Sequence, residues 1–227
     1  DWKRNAYKRA DQQRWYAGET ISLGIGQGYN AFTMLQLATA TATLANRGIQ
    51  YPPHLMRAIR ESRSSETRTV AQTTPRDLGL NKKNLETVIE AMVGVTQDGT
   101  SRLSFVGAPY LSAGKTGTAQ AVTIGQNEKY DAKKLAEFER DHSLYIAFAP
   151  AAAPEVALAI IVENAGFGSA HAAPIARRVF DYMLLGLYPS EEDIAAVQKG
   201  LATAPIGKPR LKVDVPLIRT PDPTTLE

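Results

Sequence analysis

Ala113-Gly114-Lys115-Thr116-Gly117-Thr118-Ala119-Gln120 lies within a run from Tyr110 to Val122 that is rich in small residues and threonine. Such a run predicts a strand, and its side chains suit it to binding. Lysine supplies a compact positive charge, threonine a hydroxyl donor, and glycine leaves the backbone open to close approach. At a sheet edge these groups can receive the carboxylate of an extended peptide while the backbone pairs with it as an added strand. In a regular strand Lys115 and Thr116 point to opposite faces, so both serve one ligand only if the strand borders a cleft. A solvent-exposed turn carrying a lysine is the plainer alternative for a three-residue match.

The elements on either side give the strand its setting. Thr33 and Gln36 form a capping-box pattern ahead of a helix with Leu37, Ala40 and Leu44 on one stripe, ending near Gly48. Residues 1–32 read as irregular, with a tight glycine turn at Gly24-Ile25-Gly26-Gln27-Gly28. Pro52-Pro53 breaks the chain before Leu55-Met56, and residues 60–76 read as a charged surface excursion. A second helix carries Leu85, Val88, Ile89, Met92 and Val93 and closes at Asp98-Gly99.

After the central strand, residues 125–142 are polar and read as an insertion, with Asp141-His142 solvated. Leu144–Ala149 and Val156–Glu163 predict a hairpin joined through Pro150 to Pro154, and Gly166-Phe167-Gly168 a flexible rim. A last helix is expected from Pro174, with Ile175, Val179, Met183 and Leu187 on its apolar face. Residues 188–227 hold six of the 13 prolines; a short capped helix is expected over Ser190–Leu201 and a disordered tail beyond it. The order α, α, β, β, β, α predicts an α/β (α+β) fold in which an antiparallel sheet is flanked by helices.

Composition removes several classes of function. The chain has 227 residues, 44% of them hydrophobic, and a net charge of +3 from 26 basic and 23 acidic residues. No basic stripe with interleaved aromatics points to nucleic acid. There is no cysteine, which excludes disulfides, thiol catalysis and thiolate metal sites. His54, His142 and His171 are isolated, so no metal and no cofactor is expected. The glycine turn at 24–28 lacks dinucleotide-binding spacing. No apolar run is long enough to cross a bilayer, and Asp1-Trp2-Lys3-Arg4 has no signal-peptide character, so any anchor is expected outside these residues.

A Lys-Thr-Gly strand is one of three motifs of penicillin-binding proteins and serine β-lactamases. Here it stands among further matches to class B penicillin-binding proteins. Trp15-Tyr16, Gly18-Glu19-Thr20-Ile21 and Gly24 to Tyr29 resemble the stretch before the helix that leads toward the motif strand, and Pro53-His54-Leu55 is similar to the strand entry after that helix. Ala147-Phe148-Ala149-Pro150 and Val162-Glu163-Asn164 fall where the family turns between its next strands. Asn127 to Tyr130 with Arg140-Asp141-His142 resembles the penicillin-binding protein 2 branch, the cell-elongation transpeptidases.

The resemblance covers residues 1–187. It implies the penicillin-binding/serine β-lactamase-like transpeptidase fold, incomplete on its N-terminal side. It further implies a peptidoglycan D,D-transpeptidase that cross-links D-alanyl-D-alanine stem peptides and is trapped by β-lactams. The implied location is the periplasmic face of the bacterial inner membrane, beside the missing N-terminal part and membrane proteins of the elongation machinery. Carried over by position, Lys115 contributes charge to the catalytic network and Thr116 holds the substrate carboxylate. Gly117 and Ala119 line the substrate, and the backbone N–H of Thr118 forms half of the oxyanion hole. A fixed N–H aimed at an oxyanion contributes on the order of two to three powers of ten in rate.

The family's other motifs, a helical Ser-x-x-Lys and a Ser-x-Asn variant, are missing. Ser112-Ala113-Gly114-Lys115 matches the first only formally, because the catalytic pair needs a helix face and this stretch predicts a strand. The chain is therefore expected to supply the substrate strand without the nucleophile. A non-catalytic envelope binding or scaffold piece, or a serine β-lactamase relative, are the alternatives.

Overall fold

The computed structural model describes residues 2–61, 67–71, 73–119, 135–201 and 203–215. Gln120, the strand end expected to Val122, Asn127 to Tyr130 and the tail beyond 215 lie outside the described residues. The chain divides into two compact units, 1–33 and 34–227.

In the first unit, where irregular structure is expected, three short helices form: α1 (Trp2–Ala6), α2 (Ala10–Gln13) and α3 (Ala17–Gly24). Their organiser is Lys3. Its ammonium pairs with the Glu19 carboxylate, donates to the Arg14 carbonyl at 2.5 Å, and lies 5.2–5.8 Å from the ring centres of Trp15, Tyr16 and Tyr29. Glu19 also accepts from the Tyr16 backbone and the Tyr29 hydroxyl, both at 2.9 Å. No apolar periodicity announces such a unit, because a lysine forms its centre.

The hydrogen bond from Lys3 and the bond from the Tyr16 backbone hold the Glu19 carboxyl below its ordinary value of 4.5. Since the folded value is the lower one, Glu19 stabilises the unit above pH 4.5 and that contribution is lost as pH falls through the depressed value. Fluorescence of Trp2 and Trp15 is expected to report an acid transition in this unit. In Glu19→Gln the transition attributable to this group should vanish; persistence unchanged would remove Glu19 as its cause.

The second unit begins with α4 (Met34–Ala45), β1 (Ile49–Gln50), the exposed hairpin β2 (Ala58–Arg60) and β3 (Thr67–Thr69), and β4 (Arg76–Asp77), which pairs with β1. Then come α5 (Lys82–Gln97), capped by Asn81, and α6 (Arg102–Phe105). The central sheet is β5 (Ala113–Ala119), β6 (His142–Ala149) and β7 (Val156–Val162), antiparallel in the order β5-β6-β7. Finally come α7 (Ala172–Leu185), β8 (Leu187–Tyr188), α8 (Glu191–Gln198) and β9 (Arg210–Leu211).

Alternation along the strands sends side chains to two cores. On one face Ala113, Ile146 and Phe148 meet Leu44 and Ala45 of α4 and Ile89, Met92 and Val93 of α5. On the other, Tyr145, Ala147 and Ala149 meet Phe105 of α6 and Ala172, Ala173, Ala176 and Phe180 of α7. Full burial of a side chain such as Phe180 contributes roughly 1.5–3 kcal/mol. The expected antiparallel sheet flanked by helices is the observed architecture.

The buried face of α7 differs from expectation. Ile175 is only half-buried, Val179 and Met183 are exposed, and Leu187 lies in β8 rather than in the helix. The alanine face turns inward instead, because small side chains let a helix approach a sheet closely while Phe180 fills the remaining space.

The C-terminal segment also departs from expectation. Ser190 does cap α8, accepting from the Asp193 N–H at 3.0 Å. Beyond it the chain returns as β9, paired with β8 through Leu187–Leu211 and Tyr188–Arg210. Arg178 of α7 and Asp193 of α8 form a buried pair at 2.5 Å, and Arg178 also donates to the carbonyls of Pro174 and Thr203. This interior ion pair ties the expected helix α8 to α7, and with the bonds of Thr203 and Ile206 it holds the following segment, where a disordered tail is expected.

Candidate active site

β5 stands at one end of its sheet, so among the described residues its backbone pairs on one side only, with β6. Lys115 lies opposite Ile146 on the α4/α5 face. It is exposed, and its ammonium donates to the Thr116 carbonyl at 2.8 Å. Thr116 lies opposite Tyr145 on the other face, half-buried, with its hydroxyl 3.0 Å from that of Thr100. The two side chains therefore diverge, as strand alternation demands. Thr118 and Ala119 continue the strand, half-buried, opposite Ser143 and His142.

The strand is held from beneath by side chains that sequence reading did not single out. α5 packs on one face of the sheet and α6 on the other, so residues 98–101 carry the chain around β5. Thr100 meets Thr116 there. The neighbouring Ser101 is buried; its hydroxyl donates to the Val95 carbonyl at 3.0 Å and lies 3.0 Å from the Tyr145 hydroxyl. With the Ser101 proton directed at a carbonyl, Tyr145 is the donor in their bond. Burial, with a smaller opposing effect of Ser101, pushes the Tyr145 phenol up to about 12, so it stays neutral and able to donate.

Tyr145 also explains Gly114: a Cβ there would lie 2.1 Å from the tyrosine oxygen. Adjacent turn residues, Thr100 and Ser101, thus grip a cross-strand pair, Thr116 and Tyr145. The only sequence signal for this was the helix stop at Asp98-Gly99.

The segment after β7 is firmly held where a flexible rim is expected. Ser143 donates to the Phe167 carbonyl at 3.0 Å and accepts from the Ala172 N–H at 3.1 Å. The Gly166 N–H donates to the Asp141 carbonyl at 2.7 Å. Gly168 packs directly on the sheet backbone: a Cβ there would fall 2.2 Å from the Leu144 oxygen and 2.6 Å from that of Gly117. Asp141 and His142, expected to be solvated, are instead respectively buried and half-buried, and His142 Nδ1 accepts from the Asn164 N–H at 3.0 Å.

Ser112 is 1% exposed and sits just before β5; its carbonyl accepts from Thr96 Oγ1 at 2.8 Å. Three residues apart along extended chain, Ser112 and Lys115 do not share a face, so they form no nucleophile–base pair. Among the described residues no group of three or more His, Asp or Glu side chains is placed to hold a metal ion, and no helix is long and apolar enough to cross a membrane.

Residues 4–181 match the family described as the penicillin binding protein transpeptidase domain. The peptidoglycan D,D-transpeptidase MrdA of Haemophilus influenzae is 40% identical over 198 residues, covering 85% of this chain and 29% of that protein. The structure of Pseudomonas aeruginosa PBP2 in complex with WCK 5153 superposes with a TM-score of 0.59 at 36% identity, over 84% of this chain and 36% of that one. Helicobacter pylori PBP2, solved in complex with MreC, gives a TM-score of 0.60 at 28% identity, over 82% and 30%. The chain thus spans about a third or less of the curated relative and of the H. pylori structure. Strand order, motif strand and relatives agree: the chain belongs to the penicillin-binding protein transpeptidase family, as part of the transpeptidase domain of its class B, PBP2 (MrdA) branch.

Proposed function

We propose that this chain provides the substrate-strand portion of a peptidoglycan D,D-transpeptidase that cross-links stem peptides ending in D-alanyl-D-alanine. The observation that carries the reading is an edge strand with Lys115 exposed and Thr116, Gly117 and Thr118 accessible beside it. An extended peptide adds to that edge as a strand, its terminal carboxylate accepting from the Thr116 hydroxyl while the Lys115 ammonium, folded back to the Thr116 carbonyl, adds positive charge at the same edge. The scissile carbonyl then lies against the backbone N–H of Thr118, which stabilises the oxyanion as a serine from outside residues 1–227 attacks. The acyl group passes to an amine of a neighbouring stem peptide, or to water in a carboxypeptidase side reaction. β-Lactams occupy the same strand as substrate mimics.

The reading extends to a periplasmic position at the inner membrane and to partners in the elongation machinery. Its support is the MrdA kinship and the complex that H. pylori PBP2 makes with MreC.

The test has two arms. The intact protein that carries this chain is expected to be labelled covalently by fluorescent penicillin, and absence of labelling at every concentration would remove the reading. The 227-residue chain is expected to take no label, and a stable acyl adduct on Ser112 would overturn the assignment of the nucleophile elsewhere. Equilibrium binding of an N-acyl-D-alanyl-D-alanine peptide to the chain should weaken by about tenfold or more in Lys115→Ala, the scale of a lost charge-assisted contact.

A second reading, a binding or scaffold piece of the envelope, draws on the buried, non-helical setting of Ser112. It predicts the same peptide binding but no labelling of the intact protein.

A further inference from the structure

Thr116 has one hydroxyl proton, and its use decides whether the hydroxyl can hold a carboxylate. A carboxylate only accepts hydrogen bonds, so Thr116 must donate to it. The Thr116 oxygen also lies 3.0 Å from the Thr100 hydroxyl, and either can be the donor in that bond. If Thr116 donates to Thr100, its proton points away from the groove. If Thr100 donates to Thr116, the Thr116 proton is free to aim outward, and the bond received strengthens the one given.

From this geometry we infer that Thr100 is a positioning residue. It donates to Thr116 and orients the Thr116 proton toward the carboxylate of an incoming peptide. The inference rests on the reading of β5 as a carboxylate-binding strand and adds to it a residue outside that strand.

Three observations show that Thr100 is held in place for this role. The turn bearing it is anchored on its C-terminal side by Ser101, whose backbone N–H and hydroxyl both donate to the Val95 carbonyl, at 3.1 and 3.0 Å. The Arg102 N–H returns to the Gly99 carbonyl at 3.2 Å. Ser101 in turn meets the fully buried Tyr145, which is the register partner of Thr116. The turn is therefore tied to two paired strands, to β5 through Thr100 and to β6 through Ser101, and the hydroxyl–hydroxyl distance follows from the buried Ser101–Tyr145 anchor rather than from two accessible side chains meeting by chance. Thr100 and Thr116 both remain accessible, so a ligand can reach the proton.

The chain is titrated with an N-acyl-D-alanyl-D-alanine peptide and with its C-terminal amide, which has the same shape without the negative charge. The original chain should prefer the carboxylate form. Thr116→Val should reduce the preference by about tenfold or more, leaving the part that the Lys115 charge contributes. Thr100→Val should reduce it about tenfold, the scale of one hydrogen bond to a charged group, while Thr100→Ser, which keeps the hydroxyl, should restore it.

If Thr116→Val reduces the preference and Thr100→Val leaves it intact, the inference fails while the reading of β5 stands. Equal weakening of both ligands in Thr100→Val also overturns it, because a merely structural residue does not distinguish acid from amide. No preference in the original chain overturns the inference and the carboxylate reading of the strand together.

Discussion

Gly168→Ala is expected to destabilise the second unit by on the order of 3 kcal/mol or more. The added methyl would sit 2.2 Å from the Leu144 carbonyl oxygen, 2.6 Å from the Gly117 oxygen and 3.0 Å from the Gly117 nitrogen. All three are backbone atoms in paired strands, so no side chain can swing away. Relief requires either shifting the 164–171 segment off the sheet, which breaks the bonds to Ser143 and Asp141, or bending β5 beside Thr116. β5 and the fold are therefore perturbed together.

Gly94→Ala provides the contrast. Gly94 lies within α5, and an added methyl would meet nothing within 4 Å, so the same change should be neutral or stabilise by roughly 0.5–1 kcal/mol through helix propensity. Denaturation midpoints of the two variants measure the difference. Equal midpoints would show that Gly168 does not pack on the sheet as described.

Asp193→Ala is expected to cost about 3–5 kcal/mol, because it leaves the Arg178 guanidinium buried without its counter-charge. Asp193 is 1% exposed; both of its oxygens accept from Arg178, and one also accepts from the Ile206 N–H at 3.1 Å. The loss should be local before it is global: limited proteolysis is expected to open the chain between α8 and β9 earlier than in the parent. Replacing both partners together, Arg178→Met with Asp193→Leu, should cost less than Asp193→Ala alone, since no charge is then stranded. A double variant as unstable as the single one would indicate that the carbonyl bonds of Arg178, rather than its charge pairing, hold the segment.

Much of the second unit is legible from local pattern. The helical spacing of Leu85, Val88, Ile89, Met92 and Val93 places α5, with Leu85, Ile89 and Met92 buried, Val93 half-buried and Val88 exposed, and the hairpin of β6 and β7 follows from two apolar runs around a proline-bounded turn. Lys115-Thr116-Gly117 picks out the strand to which the proposed function assigns substrate binding. The same local rules fail on α7, where two apolar faces compete. Spacing favours Ile175, Val179 and Met183, but the sheet selects the alanines because only they allow close approach. They fail again beyond Leu201, where proline content suggests disorder, yet Thr203 and Ile206 bond to the buried Arg178–Asp193 pair and β9 returns to β8.

By itself the sequence determined the class of fold, the end of α5 at Asp98, and the residue types of β5, because these depend on neighbours within a few positions. Only the tertiary structure decided that β5 ends the sheet among the described residues, that Thr100 meets Thr116, that Tyr145 fills the space left by Gly114, and that Gly168 rests on the strand backbone. The last three join residues from 16 to 51 positions apart, as in Thr100 with Thr116 and Gly117 with Gly168. Contacts of that kind leave no periodicity in the chain; packing, not propensity, creates them.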